Sequence, residues 1–295
     1  MKKYKEKIRN FLHQYGKIFF VFLCLVVAII LLLIVVVATR GHDLQVSFLD
    51  VGQGDAIFIQ TPSGHDIIID GGPSDVVLEK LSEKMSYFDR TIDVMIATHP
   101  DADHVTGLIP ILEKFSVGNI ITSSVQGDTG VFKEVESDIV KEHAETHTAN
   151  AGDVIDFHDG VTLTILHPFI GEHFKDTNEG SVTVLVRYGD ETFLLDGDLP
   201  TTKESLLLTN NLPHTITVYK AGHHGSKYSS GEQLLTYIKP EYSVISAGKD
   251  NKYGHPNPEA LERLKTYSKN ILSTIDSGTI TFVTDGKNLE VRTAK

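Results

Sequence analysis

The stretch Thr98–Gly107 reads THPDADHVTG and follows an apolar run, Val94–Ala97. Within six residues it sets His99, Asp101, Asp103 and His104. Pro100 has no N–H for a sheet ladder, so a turn starts there. A tight turn at a strand end gathers alternate side chains around one point. Two carboxylates held that close repel each other, and a divalent metal removes the cost. The competing reading is a solvated, Asp-rich loop.

Other strand ends bear on that choice. Asp70 closes the run Ile67–Ile69 and precedes Gly71 and Gly72. Asp196-Gly197-Asp198 closes Thr192–Leu195, and Lys220-Ala221-Gly222-His223-His224-Gly225-Ser226 follows Thr215–Tyr219. Any one of these acids suits an ordinary turn. Four strand ends that all run into Asp or His suit a site on the edge of a sandwich.

Around them, apolar runs predict strands at Val46–Val51, Ala56–Gln60, Asp66–Ile69, Val94–Thr98 and Ile120–Thr122. A second set lies at Val161–Leu166, Val182–Tyr188, Thr192–Leu195, Thr215–Tyr219, Tyr242–Ala247, Thr279–Thr284 and Leu289–Arg292. Helical spacing marks Asp75–Met85, Leu108–Phe115, Val131–His143, Lys203–Thr209, Gln233–Ile238 and Pro258–Tyr267. The last has Asn257 as N-cap and Pro258 at its first position. Strands and helices mixed in two halves imply two packed sheets with helices outside. The polar stretch Ser123–Gly130 reads as a surface loop. There is no internal repeat, and no linker divides this part of the chain.

The N-terminus differs. Ile18–Thr39 has no charged residue, and its 22 residues would span the roughly 30 Å of a bilayer core as a helix. A cleaved signal peptide is the alternative, but its apolar region is usually about 7–15 residues. Lys2, Lys3, Lys5, Lys7, Arg9 and Lys17 precede the run, against Glu6 alone. Only Arg40, His42 and Asp43 follow closely. The basic flank is the one that stays cytoplasmic, which puts the remainder outside the cell. The division expected is therefore a basic segment at 1–17, a transmembrane helix at 18–39 and a catalytic domain at 44–294. The whole chain carries net charge −12. Without the basic segment and its one acid the remainder stands at −17, which gives no general grip on polyanions. A bound metal would reverse that field locally. The one cysteine, Cys24, lies in the apolar run, so the domain has neither disulfides nor thiolate ligands.

Taken with Phe48–Ala56 (FLDVGQGDA), Ile67–Gly72 (IIIDGG), Asn178–Leu185 (NEGSVTVL), Phe193–Asp198 (FLLDGD), His223–Ser226 (HHGS) and Tyr253–Pro256 (YGHP), the Thr98–Gly107 motif resembles the metallo-β-lactamase superfamily. Within it, the chain is most similar to the C-terminal hydrolase domain of ComEC-type competence proteins. The resemblance covers about residues 44–294 and implies a four-layer αββα sandwich, here preceded by one transmembrane helix. It implies one or two metals in a cleft at the sandwich edge. His99 and Asp101 would serve the first metal and Asp103 and His104 the second. Asp198 would bridge them, and either His223 or His224 would complete the set. Asp70 would orient ligands from behind. Asp50, Gln53 and Asp55 would lie near the cleft, and His255 would line the substrate pocket. Asp103, His255 and Asp55 are the candidates for direct catalytic roles. Ser226 either donates to a phosphate oxygen or serves a turn.

Two departures stand out. Asp101 replaces a histidine of the wider superfamily, and the added oxygen ligand favours Mn²⁺ or Mg²⁺ more than an all-imidazole site would, with Zn²⁺ an alternative for the two ions. Asn178 stands in the region where a metal histidine is usual. His167 either compensates or is a strand-end histidine without metal. His65 reads as a turn residue, and His143, His147, His158, His173 and His214 as surface groups.

The resemblance implies hydrolysis by a metal-bound hydroxide between two divalent ions about 3.5–4 Å apart, with a phosphodiester as substrate, either nucleic acid or a cell-wall polymer. Hydrolysis of a lactam, lactone or thioester is the second reading. A weakly catalytic accessory or binding protein for DNA uptake is the third.

Overall fold

Val46, Phe48, Ile57, Ile59, Ile67 and Ile69 take alternate positions on three neighbouring strands and meet in one core. Phe58 and Ile68, between them, belong to another. Alternation with a period of two sends successive side chains to opposite faces, so this sheet is covered on both sides. The computed structural model describes residues 2–38, 43–210 and 212–295. They fall into two compact units, one up to residue 42 and one from residue 43.

The described residues of the second unit hold fifteen strands: β1 (Leu44–Phe48), β2 (Ile57–Gln60), β3 (Asp66–Ile69), β4 (Thr91–Ala97), β5 (Ser116–Thr122), β6 (Glu145–Thr148), β7 (Val154–Asp156), β8 (Val161–His167), β9 (Thr183–Tyr188), β10 (Glu191–Leu195), β11 (Val218–Lys220), β12 (Tyr242–Ile245), β13 (Asn270–Ser273), β14 (Ile280–Thr284) and β15 (Leu289–Thr293). The first sheet runs β15-β14-β1-β2-β3-β4-β5-β6 and the second β13-β12-β11-β10-β9-β8-β7. Three apolar clusters define the layers. One lies between the sheets and joins Val46, Ile59 and Ile96 to Val184, Phe193 and Val218. The second packs helices α2 (Val76–Ser82), α3 (Ala102–Val105), α4 (Leu108–Lys114) and α5 (Gly130–Glu142) on the first sheet. The third packs α6 (Thr201–Leu207), α7 (Glu232–Ile238) and α8 (Pro258–Tyr267) on the second. A short helix, α9 (Thr274–Ser277), leads into β14. The result is the expected αββα order.

In the other unit, α1 (Lys2–Ala38) continues as helix through the basic segment. Its stretch Tyr15–Leu33 is long and apolar enough to cross a membrane, with mean hydropathy 3.0. Thr39, Arg40 and His42, used above to end and orient the apolar run, lie outside the described residues.

Predicted helices match within a few residues, and Pro258–Tyr267 matches at both ends. Asn257 sits at the N-cap position without capping α8; its side-chain oxygen accepts instead from the Lys227 N–H at 2.9 Å. Strands β6, β7 and β13 and helix α9 were not foreseen. In the 123–130 stretch, Ser123 is buried and its hydroxyl donates to the Gly180 carbonyl at 2.6 Å, so only part of it is surface loop.

Candidate metal centre

β3, β4, β10, β11 and β12 all end on one edge of the sandwich. β3 and β4 are parallel, as are β10, β11 and β12. Beyond β4, Pro100 ends the ladder and α3 begins at once, carrying Asp103 and His104. The turn after β3 must pass close to the end of α3. A Cβ on Gly107 would come 1.9 Å from the Gly71 carbonyl oxygen, so only glycine permits the approach. Beyond β11, His223 and His224 both take left-handed backbone, φ 48° and 54°. Side chains other than glycine hold that conformation only when their surroundings impose it.

The three enclosed histidines are oriented from behind. The Asp70 carboxylate accepts from the Thr98 N–H at 2.8 Å, the Thr98 hydroxyl at 2.6 Å and His104 Nδ1 at 2.8 Å. Because the Thr98 proton goes to Asp70, His99 Nδ1, 3.0 Å from the Thr98 oxygen, donates to it. His224 Nδ1 donates to the Ser246 carbonyl at 3.0 Å. Each Nδ1 thus carries the proton, and each Nε2 is left with a lone pair.

Two of these lone pairs face each other. His104 Nε2 lies 3.3 Å from His224 Nε2 and 3.3 Å from Asp198 Oδ1. His224 Nε2 lies 3.5 Å from Asp198 Oδ2 and 3.4 Å from Asp103 Oδ2. A tetrahedral shell with bonds of about 2.0–2.1 Å has edges of about 3.3–3.4 Å, so His104, Asp198 and His224 match three corners of one coordination sphere, which Asp103 approaches at His224. A looser group adjoins it. His99 Nε2 is 3.9 Å from Asp101 Oδ2 and 3.9 Å from Asp198 Oδ2, and His223 Nε2 is 3.6 Å from the same Asp198 oxygen. His99 Nε2 and Asp198 Oδ1 are buried without a hydrogen-bond partner. Orphaned buried lone pairs of this kind fit a divalent cation.

Electrostatics agree. Burial alone would lower the His104 pKa, but Asp198 and Asp70 outweigh it and raise it well above the usual value. Burial works the same way on His224, and Asp198 and Asp55 bring it up to about 9. The carboxylates that here favour a proton would equally favour a metal ion. Burial, helped by the neighbouring His104, pushes His99 down to about 3. For Asp103 and Asp198, burial would raise the pKa, yet the histidines prevail and hold both below the ordinary carboxylate range.

The four buried residues Asp55, His104, Asp198 and His224 also bring ligand atoms within 4.8 Å of one another. The place expected for Asp55 nevertheless changes. Its oxygens lie 3.4 Å from His224 Nδ1 and 3.9 Å from His104 Nδ1, behind the rings. It is ion-paired with Lys220, whose ammonium also donates to the Gly197 carbonyl at 2.9 Å. Both are buried, so Asp55 is shielded from any substrate. Lys220 is the functional neighbour that sequence reasoning missed. Asp50 also moves: its carboxylate lies 3.3 Å from the Lys295 ammonium and meets none of the clustered ligands.

Other expected residues fall as follows. Gln53 accepts from the Gly248 N–H at 3.1 Å, and its Nε2 is buried without a partner. Asn178 begins a 3-10 turn at 178–180, and its Oδ1 likewise lacks a partner. The preceding Thr177 hydroxyl donates to Asp101 at 2.6 Å. Ser226 is buried and accepts from the Tyr228 N–H at 3.3 Å, the turn role. His167 donates from Nδ1 to the Ser181 carbonyl, and its Nε2 lies 3.0 Å from Glu172. Those contacts give it no part in the cluster. The His255 ring is 5.3 Å from that of His223, and its Nδ1 is buried without a partner. Burial, then His223 and His224, push its pKa down to about 4. His143, His147, His158, His173 and His214 are exposed.

Asp70→Asn tests the orienting role. Asn tolerates the left-handed backbone of this position, φ 59°. Its one carbonyl oxygen cannot serve all three donors. Metal affinity, measured by chelator competition, is expected to fall about 10–100-fold. Unchanged affinity would refute the role.

The sequence profile of the metallo-beta-lactamase superfamily matches residues 49–249. ComE operon protein 3 of Bacillus subtilis (strain 168) is 27% identical over 278 residues, covering 88% of this chain and 35% of its own length. Recombination protein 2 of Haemophilus influenzae is 30% identical over 257 residues, with 85% and 30% covered. The chain thus spans about a third of the length of these relatives. Among solved structures, the metallo-beta-lactamase fold protein YhfI from Bacillus subtilis superposes with a TM-score of 0.53 at 9% identity, covering 80% of this chain and 98% of that one. That likeness concerns the fold.

Proposed function

This chain belongs to the metallo-beta-lactamase superfamily, and from that premise we propose a membrane-anchored, divalent-metal-dependent hydrolase of phosphodiesters, its catalytic domain outside the cell and a nucleic-acid strand its first substrate. The convergence of the His104 and His224 Nε2 atoms on the Asp198 carboxylate carries the reading. The name of one relative, a recombination protein, supports a nucleic acid over other phosphodiesters. A cell-wall polymer is the alternative substrate of the same chemistry.

Asp103, His104, Asp198 and His224 would hold one ion. His99, Asp101, Asp198 and His223 would hold a second, with Asp198 common to both. When bound, such ions supply a water ionised near neutral pH and polarise the attacked group. The chain's own residues do the rest. Asp70, Thr98 and the Ser246 carbonyl fix the imidazole tautomers. Lys220 neutralises Asp55 behind the rings. His255, neutral at pH 7, offers its ring to a phosphoryl oxygen beside His223.

Asn178 and the wider spacing around His99 favour one second reading, an accessory protein that binds metal but turns over little. The full chain in detergent, given Mn²⁺, Zn²⁺ or Mg²⁺, separates the two. Hydrolysis of a chromogenic bis-phosphodiester and of single-stranded DNA is expected, and EDTA abolishes it. Lactam or lactone cleavage without phosphodiester cleavage would overturn the substrate class. Bound metal without turnover on any of these substrates would establish the second reading.

A further inference from the structure

Tyr87 and Phe88 are among the most exposed large apolar side chains of the domain, at 80% and 89%. They sit in the 83–90 loop between α2 and β4, with ring centroids 5.2 Å apart, edge to face. The Arg90 guanidinium lies 5.8 Å from the Tyr87 ring and 5.7 Å from that of Phe115. Beside them is a cavity of about 290 Å³, lined by Leu78, Leu81, Met85 and Phe115, with Arg90 and Lys114 at it. Asp89, between Phe88 and Arg90, accepts from the N–H and hydroxyl of Thr91 at 3.1 and 2.7 Å.

Strand directions say which end of the domain this is. β1 is antiparallel to β2, β2 to β3, and β3 is parallel to β4. β1 and β4 therefore run the same way, and the loop entering β4 lies on the end where the chain enters β1 through Asp43. In sequence, only residues 39–42 stand between α1 and Asp43. The candidate metal centre occupies the opposite end.

We propose that this corner, with Tyr87 and Phe88 at its tip, rests in the interface of the bilayer that α1 crosses. The inference rests on the reading of α1 as an anchor. Amphipathic rings sit at the headgroup level of membranes, and Arg and Lys beside them meet lipid phosphates. The apolar cavity offers room for part of an acyl chain, with its cationic rim placed for the headgroup. Asp66 and Asp93, near the starts of β3 and β4, are engaged within the domain: Gln60 donates to Asp66, and Asp93 accepts from the Asp66 N–H. Asp159 accepts from the Ser63 N–H, and Asp190 bonds to the Gly286 carbonyl beside Asp285.

The chain has no tryptophan, so a single indole reports on one place. Phe88→Trp in the full chain is reconstituted into phosphatidylcholine–phosphatidylglycerol vesicles whose acyl chains carry bromine near the headgroup. The indole is expected to emit at shorter wavelength and to lose more than half its intensity relative to unbrominated vesicles. Ile170→Trp, beyond β8 on the end that carries the metal centre, is the control and is expected to be unaffected. Ile170 is 84% exposed. An unquenched Phe88→Trp in chains that resist alkaline extraction would overturn the corner contact and leave the anchor standing. Chains that alkaline extraction removes from the vesicles would overturn both.

Discussion

Asp198→Asn is expected to stop turnover while the domain stays folded. The Asp198 carboxylate lies within 3.9 Å of His99, His104, Lys220, His223 and His224, and both of its oxygens are used. Asparagine keeps the shape and removes the charge. The loss in phosphodiester kcat/KM should exceed the roughly 10–100-fold that follows removal of an outer partner of a ligand. Bound metal should fall with it, and circular dichroism should not change. Asp196, two residues away, is the internal comparison. Burial first, then the nearby Glu204, hold its pKa well above the ordinary carboxylate range, the opposite direction to Asp198. It takes a hydrogen bond from Tyr219 at 2.9 Å, which an asparagine oxygen can replace. Asp196→Asn should leave turnover within a few-fold. Equal losses in the two variants would mean that the charge of Asp198 is not what matters.

Lys220→Met is the largest stability change expected. Lys220 and Asp55 are both enclosed, and the ammonium is otherwise met by the Gly197 carbonyl and, at 3.7 Å, by Asp198. Removing one member of a buried pair leaves the other charge without compensation, at a cost of about 3–5 kcal/mol. That is a large part of the roughly 5–15 kcal/mol of a folded domain. Replacing both partners, Lys220→Met with Asp55→Leu, should recover part of the loss. Urea unfolding in EDTA measures each variant. A loss below about 1 kcal/mol for Lys220→Met would show that water reaches the pair.

These residues also mark what could be read from the chain. The ligand turn was legible because Pro100 stops the strand and His99, Asp101, Asp103 and His104 fall within six residues around it. The central strands were legible because residues such as Ile67, Ile68 and Ile69 are buried on both faces, and their apolar runs say so. The edge strands were not. All four residues of β6, Glu-Thr-His-Thr, are exposed, and only pairing with β5 makes them a strand. Lys220 gave no signal, because a lysine at a strand end is ordinarily exposed. Its burial depends on Asp55, far away in sequence. His223 and His224 are equivalent as letters. Consecutive left-handed backbone angles separate them, turning one ring inward against Ser246 and leaving the other part-exposed at the mouth.

The apolar layer between the two sheets has a second meaning. His99, Asp101, Asp103 and His104 hang from the first sheet, and Asp198, His223 and His224 from the second. Packed sheets stand about 10 Å apart, a gap set by the side chains that fill it. Val184, Phe193 and Ile96 therefore act as the shims of a calliper whose jaws are the ligand loops. An ion gripped between the jaws would in turn clamp the two halves of the sandwich to each other.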